Sequence, residues 1–386
     1  MTTADRLTAW GVLPPEWKPL CIELGIPPYR AAQILNGLYR NFAQSWQDIT
    51  TLPQELRAIL EQRVALAPLR TVATRESPDG VRKLLLECPD GVRVETVLIP
   101  SKGRLTQCIS TQAGCNFKCA FCASGMHGRA RDLTADEIVG QVMAVCTLTR
   151  AESSKVLNCE SSKVPSVAAP DGADAHNFRT LERSNVRTLP GNIVVMGMGE
   201  PFDNYGNVLR ALRILNDQKG VNIGARHITV STCGVVPGIR RFAGEGIQFE
   251  LSVSLHAPHD VLRDRLMPVN RRWPIAELIA ACRDYFEQTG RVVTFEYTLI
   301  RSVNDRPHHA DELIRLLRGT PCKVNLIPLS PVEFFDGQRP DDRTCLAFLD
   351  AMLKAGFNTT LRKSRGGEVA AACGQLRLQR STGSGL

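Results

Sequence analysis

The sequence predicts an α/β protein, a strand–helix array that is either open or closed into a barrel, preceded by a helical segment and a β-hairpin. Three observations carry that prediction. From Thr106 onward, short β-rich runs (TQCIS, NIVVMG, RHITVST, QFELSVSL, RVVTFEYTLI, KVNLIPL and NTTLRK) alternate with amphipathic stretches. This is the pattern of parallel strands joined by crossover helices. Before them, VRKLLLE and VRVETVLIP flank the turn Pro89-Asp90-Gly91 and form a hairpin. The first ~70 residues carry three stretches that begin near proline and place apolar residues at helical spacing.

In chain order, PPEWKPLCIELGI, PPYRAAQILNGLYRNFA and LPQELRAILEQRVAL are the N-terminal helices. The predicted organisation is a helical accessory domain over 1–70, a hairpin linker over 71–100, a core over 101–378 and a flexible tail over 379–386. The first core helix, TADEIVGQVMAVCTLTR, opens with the capping-box pattern Thr134-x-x-Glu137. Residues 151–190 break the rhythm. They are rich in Ser, Ala, Asn and charge, and they repeat ESSKV at Glu152–Val156 and Glu160–Val164. Such a segment buries too little apolar area to offset its ordering entropy, so a disordered insertion is expected there.

A chain of 386 residues with 43% hydrophobic and 22% charged residues has an ordinary globular composition. No run of ~18 apolar residues suggests a membrane span. The N-terminus carries acid early and lacks an apolar signal core, so a cytoplasmic location with no membrane partner is expected. Thirteen cysteines, an odd number in a long chain, do not suggest a secreted disulfide framework; they point to metal or catalysis. The net charge of +8 suits a nucleic-acid partner and simple solubility equally.

The sharpest local signal is Gly114-Cys115-Asn116-Phe117-Lys118-Cys119-Ala120-Phe121-Cys122. Three thiolates at C-x3-C-x2-C spacing can hold three irons of a 4Fe–4S cubane and leave the fourth iron open. A structural zinc site is the alternative, but it wants four protein ligands, and His127 stands five residues beyond Cys122. Phe121, just before the third cysteine, would shield a cluster.

With these cysteines go VETV at Val94–Val97, CISTQAGCNFKCAFC at Cys108–Cys122, MGMGEP at Met196–Pro201 and STCGVVP at Ser231–Pro237. SLHAP at Ser254–Pro258, NLIP at Asn325–Pro328 and RKSRGGEVAAACGQL at Arg362–Leu376 complete the series. In this order and over nearly the whole chain, the set resembles the radical S-adenosylmethionine (SAM) superfamily, and more closely its RlmN/Cfr family of RNA adenine methyltransferases. The resemblance implies a partial (βα)6-type barrel. It also implies one 4Fe–4S cluster on Cys115, Cys119 and Cys122, and two SAM molecules per turnover. In such folds the chemistry sits at the C-terminal ends of the strands. Gly199 and Glu200 follow the second core strand, and Ser231 ends the third. Ser254, Leu255 and His256 end the fourth, Asn325 ends the sixth, and Cys373 lies beyond the last. The resemblance makes Gly199, Glu200, Ser231, Ser254, Leu255, His256 and Asn325 the SAM contacts.

The same resemblance assigns Cys373, Cys108 and Glu95 to catalysis. Cys373 would be methylated by one SAM, and a radical made from the second would activate that methyl for addition to the adenine. Glu95 would remove the ring proton, and Cys108 would attack the Cys373 sulfur, forming a disulfide bond and releasing RNA. Methylation at adenine C2 of 23S ribosomal RNA is implied, with transfer RNA left open as a second substrate. The implied enzyme is a monomer that takes electrons from a donor such as flavodoxin. Two alternatives stand beside it: C8 methylation of the Cfr type, and a non-catalytic metal-stapled RNA-binding protein. Cys21, Cys88, Cys146, Cys233, Cys282, Cys322 and Cys345 are expected to be structural, and Cys159 a bystander in the insertion. Arg362, Lys363, Arg365, Arg377 and Arg380 beside Gly366-Gly367 are expected to meet RNA phosphates, as is the N-terminal domain.

Overall fold

The computed structural model describes residues 7–101, 103–159, 189–362 and 366–377, with side chains undescribed over 153–159. At the N-terminus, helices α1 (Trp17–Glu23), α2 (Arg30–Tyr39) and α3 (Gln54–Arg63) form where the proline-led stretches predict them. They enclose Trp17 and Trp46, whose rings meet edge-on at 6.1 Å, and the Trp46 indole donates to the Val64 carbonyl at 2.8 Å. Arg40 reaches from the end of α2 to the carbonyls of Gln218 and Gly220, both at 2.8 Å, tying this region to the core.

The hairpin is longer than expected and is continuous with the core. Strands β1 (Arg70–Glu76), β2 (Arg82–Glu87), β3 (Arg93–Ser101) and β4 (Arg104–Cys108) form an antiparallel meander. A short antiparallel pair, β5 (Gln112–Gly114) and β6 (Arg129–Asp132), brackets the cysteine loop. Strands β7 (Asn192–Val195), β8 (Ile228–Thr232), β9 (Glu250–Ser254), β10 (Val293–Leu299), β11 (Cys322–Pro328) and β12 (Asn358–Leu361) then add in parallel. The resulting ten-stranded sheet has the order β12-β11-β10-β9-β8-β7-β4-β3-β2-β1. The fold is α/β as predicted, and among the described residues the sheet stays open, with β12 and β1 at its edges.

Crossover helices α4 (Ala135–Cys159), α5 (Tyr205–Asn216), α6 (Val236–Ala243), α7 (Asp260–Leu266), α8 (Ile275–Thr289), α9 (Pro307–Leu317) and α10 (Asp342–Lys354) cover the strands. Their limits follow from local chemistry. The Thr134 backbone N–H donates to the Glu137 carboxylate at 2.9 Å, one half of the expected capping box. Asp341 caps α10 by accepting from the Thr344 N–H at 2.7 Å. Helix α8 stops at Gly290, which takes the left-handed conformation at φ 67°.

The insertion expected over 151–190 is corrected at its start. Ala151–Cys159 continue α4, because Ala, Glu, Lys and Leu extend an existing helix at little cost once its first turns are formed. Arg82 on β2 donates to both oxygens of Glu152 at 2.7 and 2.8 Å. The rest of the expected disorder, from 160 to 188, and the 379–386 tail lie outside the described residues.

Candidate active site

The parallel strands end on one side of the sheet, and there they surround a cavity of about 260 Å³. Its wall brings together residues more than two hundred positions apart: Cys108, Cys115, Cys119, Cys122, Gly199, Glu200, Ser231, Ser254, His256 and Cys373. Leu255 and Asn325 are not on that wall. The Leu255 side chain is fully buried, and its backbone is engaged: its N–H donates to the Glu296 carbonyl at 3.0 Å, and its carbonyl accepts from Arg263 at 3.1 Å. Asn325 stands behind Glu296, donating to its Oε1 at 3.0 Å and accepting from Thr360 at 2.5 Å. Glu95 is also off the wall, in a buried ion pair with Lys83 at 3.0 Å.

The three motif cysteines share one electrostatic neighbourhood. Burial pushes Cys115 up to about 12, with smaller contributions from Cys122 and Glu200. Burial raises Cys119 well above its ordinary value, and Cys122 and Cys115 add to it. Cys115 and Cys119, both raised first by burial and then by neighbouring thiols, need a cationic centre to become thiolates.

Glu200 sits at the turn after β7. Its carboxylate accepts from the backbone N–H of Cys233 at 2.7 Å and of Phe202 at 3.1 Å. Burial nevertheless raises its pKa, and those N–H donors pull the other way. Gly199 has φ 102°, and a Cβ there would lie 2.6 Å from Gln112 Cβ. The close approach that requires glycine is therefore to the strand segment leading into the cysteine loop.

His256 also has a left-handed φ, 55°. Its Nδ1 accepts from the Thr298 N–H at 2.9 Å, and its ring meets Phe121 edge-on at 4.8 Å. Burial, reinforced by the Arg263 charge, pushes its pKa down to about 3, so the imidazole is neutral.

Cys108 and Cys373 face the same space. Burial lifts Cys108 to about 12, Cys373 adds to it, and Arg362 opposes it. Cys373 lies on the cavity wall with its side chain open to the cavity; the protein packed around that opening raises its pKa, and Arg362 holds it back. Its loop, residues 366–377, lies across the hairpin face, where Ala371 and Leu376 join Val97 and Cys108 in a small apolar cluster. The Ala123 N–H donates to the Gly374 carbonyl at 2.7 Å, and the Ser124 hydroxyl to the Leu376 carbonyl at 2.6 Å. The loop that carries Cys373 is thus hydrogen-bonded to the turn that follows the cysteine motif.

A family model described as the radical SAM superfamily matches residues 182–317. The "Probable dual-specificity RNA methyltransferase RlmN" of Geobacillus kaustophilus is 42% identical over 362 residues, covering 94% of this chain and 90% of the relative. Its counterpart from Roseiflexus sp., with the same description, is 44% identical over 378 residues, with 94% of each chain covered.

The chain belongs to the RlmN family of radical SAM RNA methyltransferases.

The solved structure of a radical SAM methyltransferase from Sphaerobacter thermophilus superimposes with a TM-score of 0.83 at 44% identity, covering 96% of this chain and 99% of that one. Membership in the radical SAM superfamily brings with it SAM and a 4Fe–4S cluster. Among the described residues of this RlmN-family enzyme, no helix is long and apolar enough to cross a membrane.

Two residues on the cavity wall of this RlmN-family enzyme, Glu296 and Cys233, and one buried behind it, Arg263, are not among the site residues expected from the sequence. Glu296 is buried on the wall, its Oε1 held by Ser252 and Asn325, while its Oε2 has no hydrogen-bond partner and lies 3.9 Å from Arg362. Arg263, fully buried, spans two strand ends by donating to the carbonyls of Cys233 (2.8 Å), Ser254 (3.0 Å) and Leu255 (3.1 Å). Cys233, taken as structural, lines the cavity and supplies the N–H that holds Glu200. A signal existed for Glu296: it is an acid inside the otherwise apolar and aromatic run VVTFEYTLI.

Proposed function

We propose that this enzyme methylates C2 of adenine in 23S ribosomal RNA and in transfer RNA, through a methyl carried on Cys373. The observation that carries the proposal is the convergence of Cys108, Cys373 and the Cys115–Cys119–Cys122 triad on one cavity. A non-catalytic metal staple has no use for two further thiols facing the metal loop.

The residues present suit the groups this chemistry needs. Cys115, Cys119 and Cys122 would hold the cluster through three irons, and Glu200 offers an anionic acceptor for the SAM ammonium. Ser231, Ser254 and His256 offer polar contacts to the rest of SAM, with Leu255 and Asn325 holding that wall in place from behind. Cluster and SAM together supply the methyl group and, on reduction, the hydrogen-abstracting species that adenine C2, an electron-poor carbon, requires. Two SAM molecules would be used per turnover.

The protein's own part is the handling of sulfur and protons. As a thiolate, Cys373 takes a methyl group, forming an S–CH3 bond. Once that carbon is joined to the adenine, Glu95 takes the ring proton. Cys108 then attacks the Cys373 sulfur; the S–S bond forms as the bond between Cys373 sulfur and the RNA-borne carbon breaks, and that carbon takes a proton to become the methyl group. An external donor such as flavodoxin supplies the electrons, and the enzyme acts as a cytoplasmic monomer.

The test is mass spectrometry of ribosomal and transfer RNA from a strain lacking this protein. Loss of 2-methyladenosine at mapped sites supports the reading. Loss of 8-methyladenosine would reassign the carbon, and unchanged RNA in both pools would remove the proposal.

A further inference from the structure

A second, more open pocket lies between the loops that follow β10 and β11. Arg301, Ser302, Phe334, Phe335 and Asp336 line it. Phe334 is 65% exposed, a large apolar surface left in solvent. The Arg301 side chain is exposed and forms no hydrogen-bonded ion pair among the described residues, while its backbone N–H donates to Gln338 at 2.8 Å and joins the two loops.

The pocket adjoins the cavity across a pair of aromatic rings. Phe335 packs on Phe121 with ring centroids 6.4 Å apart, and Phe121 in turn meets His256 on the cavity wall. The loop is also fastened to the Cys373 loop. Gln375 donates to the Pro331 carbonyl at 2.8 Å, and Arg377 pairs with Glu333 at 2.5 Å. What binds at this rim therefore sits on a loop hydrogen-bonded to the one that carries Cys373.

An enzyme acting on a ring carbon must take its base out of the stack, which leaves the neighbouring base without a partner. An exposed aromatic face with a guanidinium nearby is the usual platform for an unstacked base and its phosphate. We propose that this pocket receives the nucleobase next to the target adenine, stacked on Phe334, with Arg301 on the adjoining phosphate. Asp336 offers an acceptor to an exocyclic amine of that base. This inference rests on the RNA-methyltransferase reading above and names its recognition site.

The probe is a stem-loop fragment of 23S ribosomal RNA containing the mapped adenine, with 2-aminopurine on its 5′ or 3′ side. Binding to the holoenzyme should quench the 2-aminopurine on one side. Phe334→Ala should abolish the quench and weaken binding roughly ten- to a hundredfold, and Phe334→Trp should restore both. Arg301→Gln should weaken binding and flatten its salt dependence. Iron content and SAM affinity should stay at wild-type values in all three, since none of these side chains lines the cavity. Unchanged affinity and quench in Phe334→Ala would overturn the proposal. So would unchanged RNA binding with slower reduction by flavodoxin, which would give the surface to the electron donor. A wild-type enzyme that neither binds nor methylates the fragment would instead remove the RNA reading itself.

Discussion

Lys83 and Glu95 form a buried ion pair of 3.0 Å, and between them they hold both ends of the Cys373 loop. The Lys83 ammonium also donates to the Ala370 carbonyl at 3.0 Å, while Glu95 Oε2 accepts from the Arg377 N–H at 3.0 Å. The pair thus links β2 and β3 of the meander to the segments on either side of Cys373.

The pair gives a stability prediction. Lys83→Met leaves a carboxylate buried without its counter-charge, which costs ~3–5 kcal/mol. Urea denaturation of the protein should show that loss, and a second change, Glu95→Leu, should recover much of it. A midpoint unchanged by Lys83→Met would mean that the pair is not held in solution.

Replacing any one of Cys115, Cys119 or Cys122 with Ala should abolish cluster retention after anaerobic reconstitution, since three ligands leave no spare. Iron and sulfide analysis checks this. Full iron content in any one variant would contradict the assignment.

Cys373→Ala should keep the cluster and lose RNA methylation. Cys108→Ala should instead accumulate RNA covalently attached to the protein, visible as a nuclease-sensitive shift on a denaturing gel. Normal turnover by Cys108→Ala, without trapped RNA, would remove its resolving role.

His256 gives a pH dependence with a definite sign. Its pKa falls from ~6.5 in the unfolded chain to about 3 in the folded one, through burial and then the Arg263 charge. Below pH ~6.5 the unfolded chain binds a proton that the folded chain refuses, so stability is full above that pH and declines as the pH falls towards 3. The slope reaches ~1.4 kcal/mol per pH unit. His256→Asn, which tolerates the left-handed backbone, should flatten the stability profile between pH 4 and 6.5 relative to wild type.

Much of the fold was legible because its signals are local. The seven β-rich runs from TQCIS to NTTLRK each became a strand of the sheet, and the polar residues at their ends mostly reached the cavity. Arg70–Glu76 was not legible as a strand: it lies at a sheet edge, is almost wholly exposed, and so carries no apolar alternation. Arg263 and Glu296 escaped notice because their importance depends on what they meet, and those partners come from other strands. Leu255 and Asn325 show the converse. Their motifs lie at strand ends, yet one side chain turns into the core and the other stands behind Glu296.

The continuity of the meander with the parallel sheet bears on how this chain can be divided. Strand β4, which ends in Cys108, is flanked by β3 on one side and β7 on the other. Removing everything before residue 101 would strip one neighbour from β4, bare its hydrogen-bonding edge and take from the Cys373 loop its bonds to Lys83 and Glu95. The hairpin therefore shares its hydrogen bonding with the strand–helix array, and a cut at residue 101 would fall inside one continuous sheet.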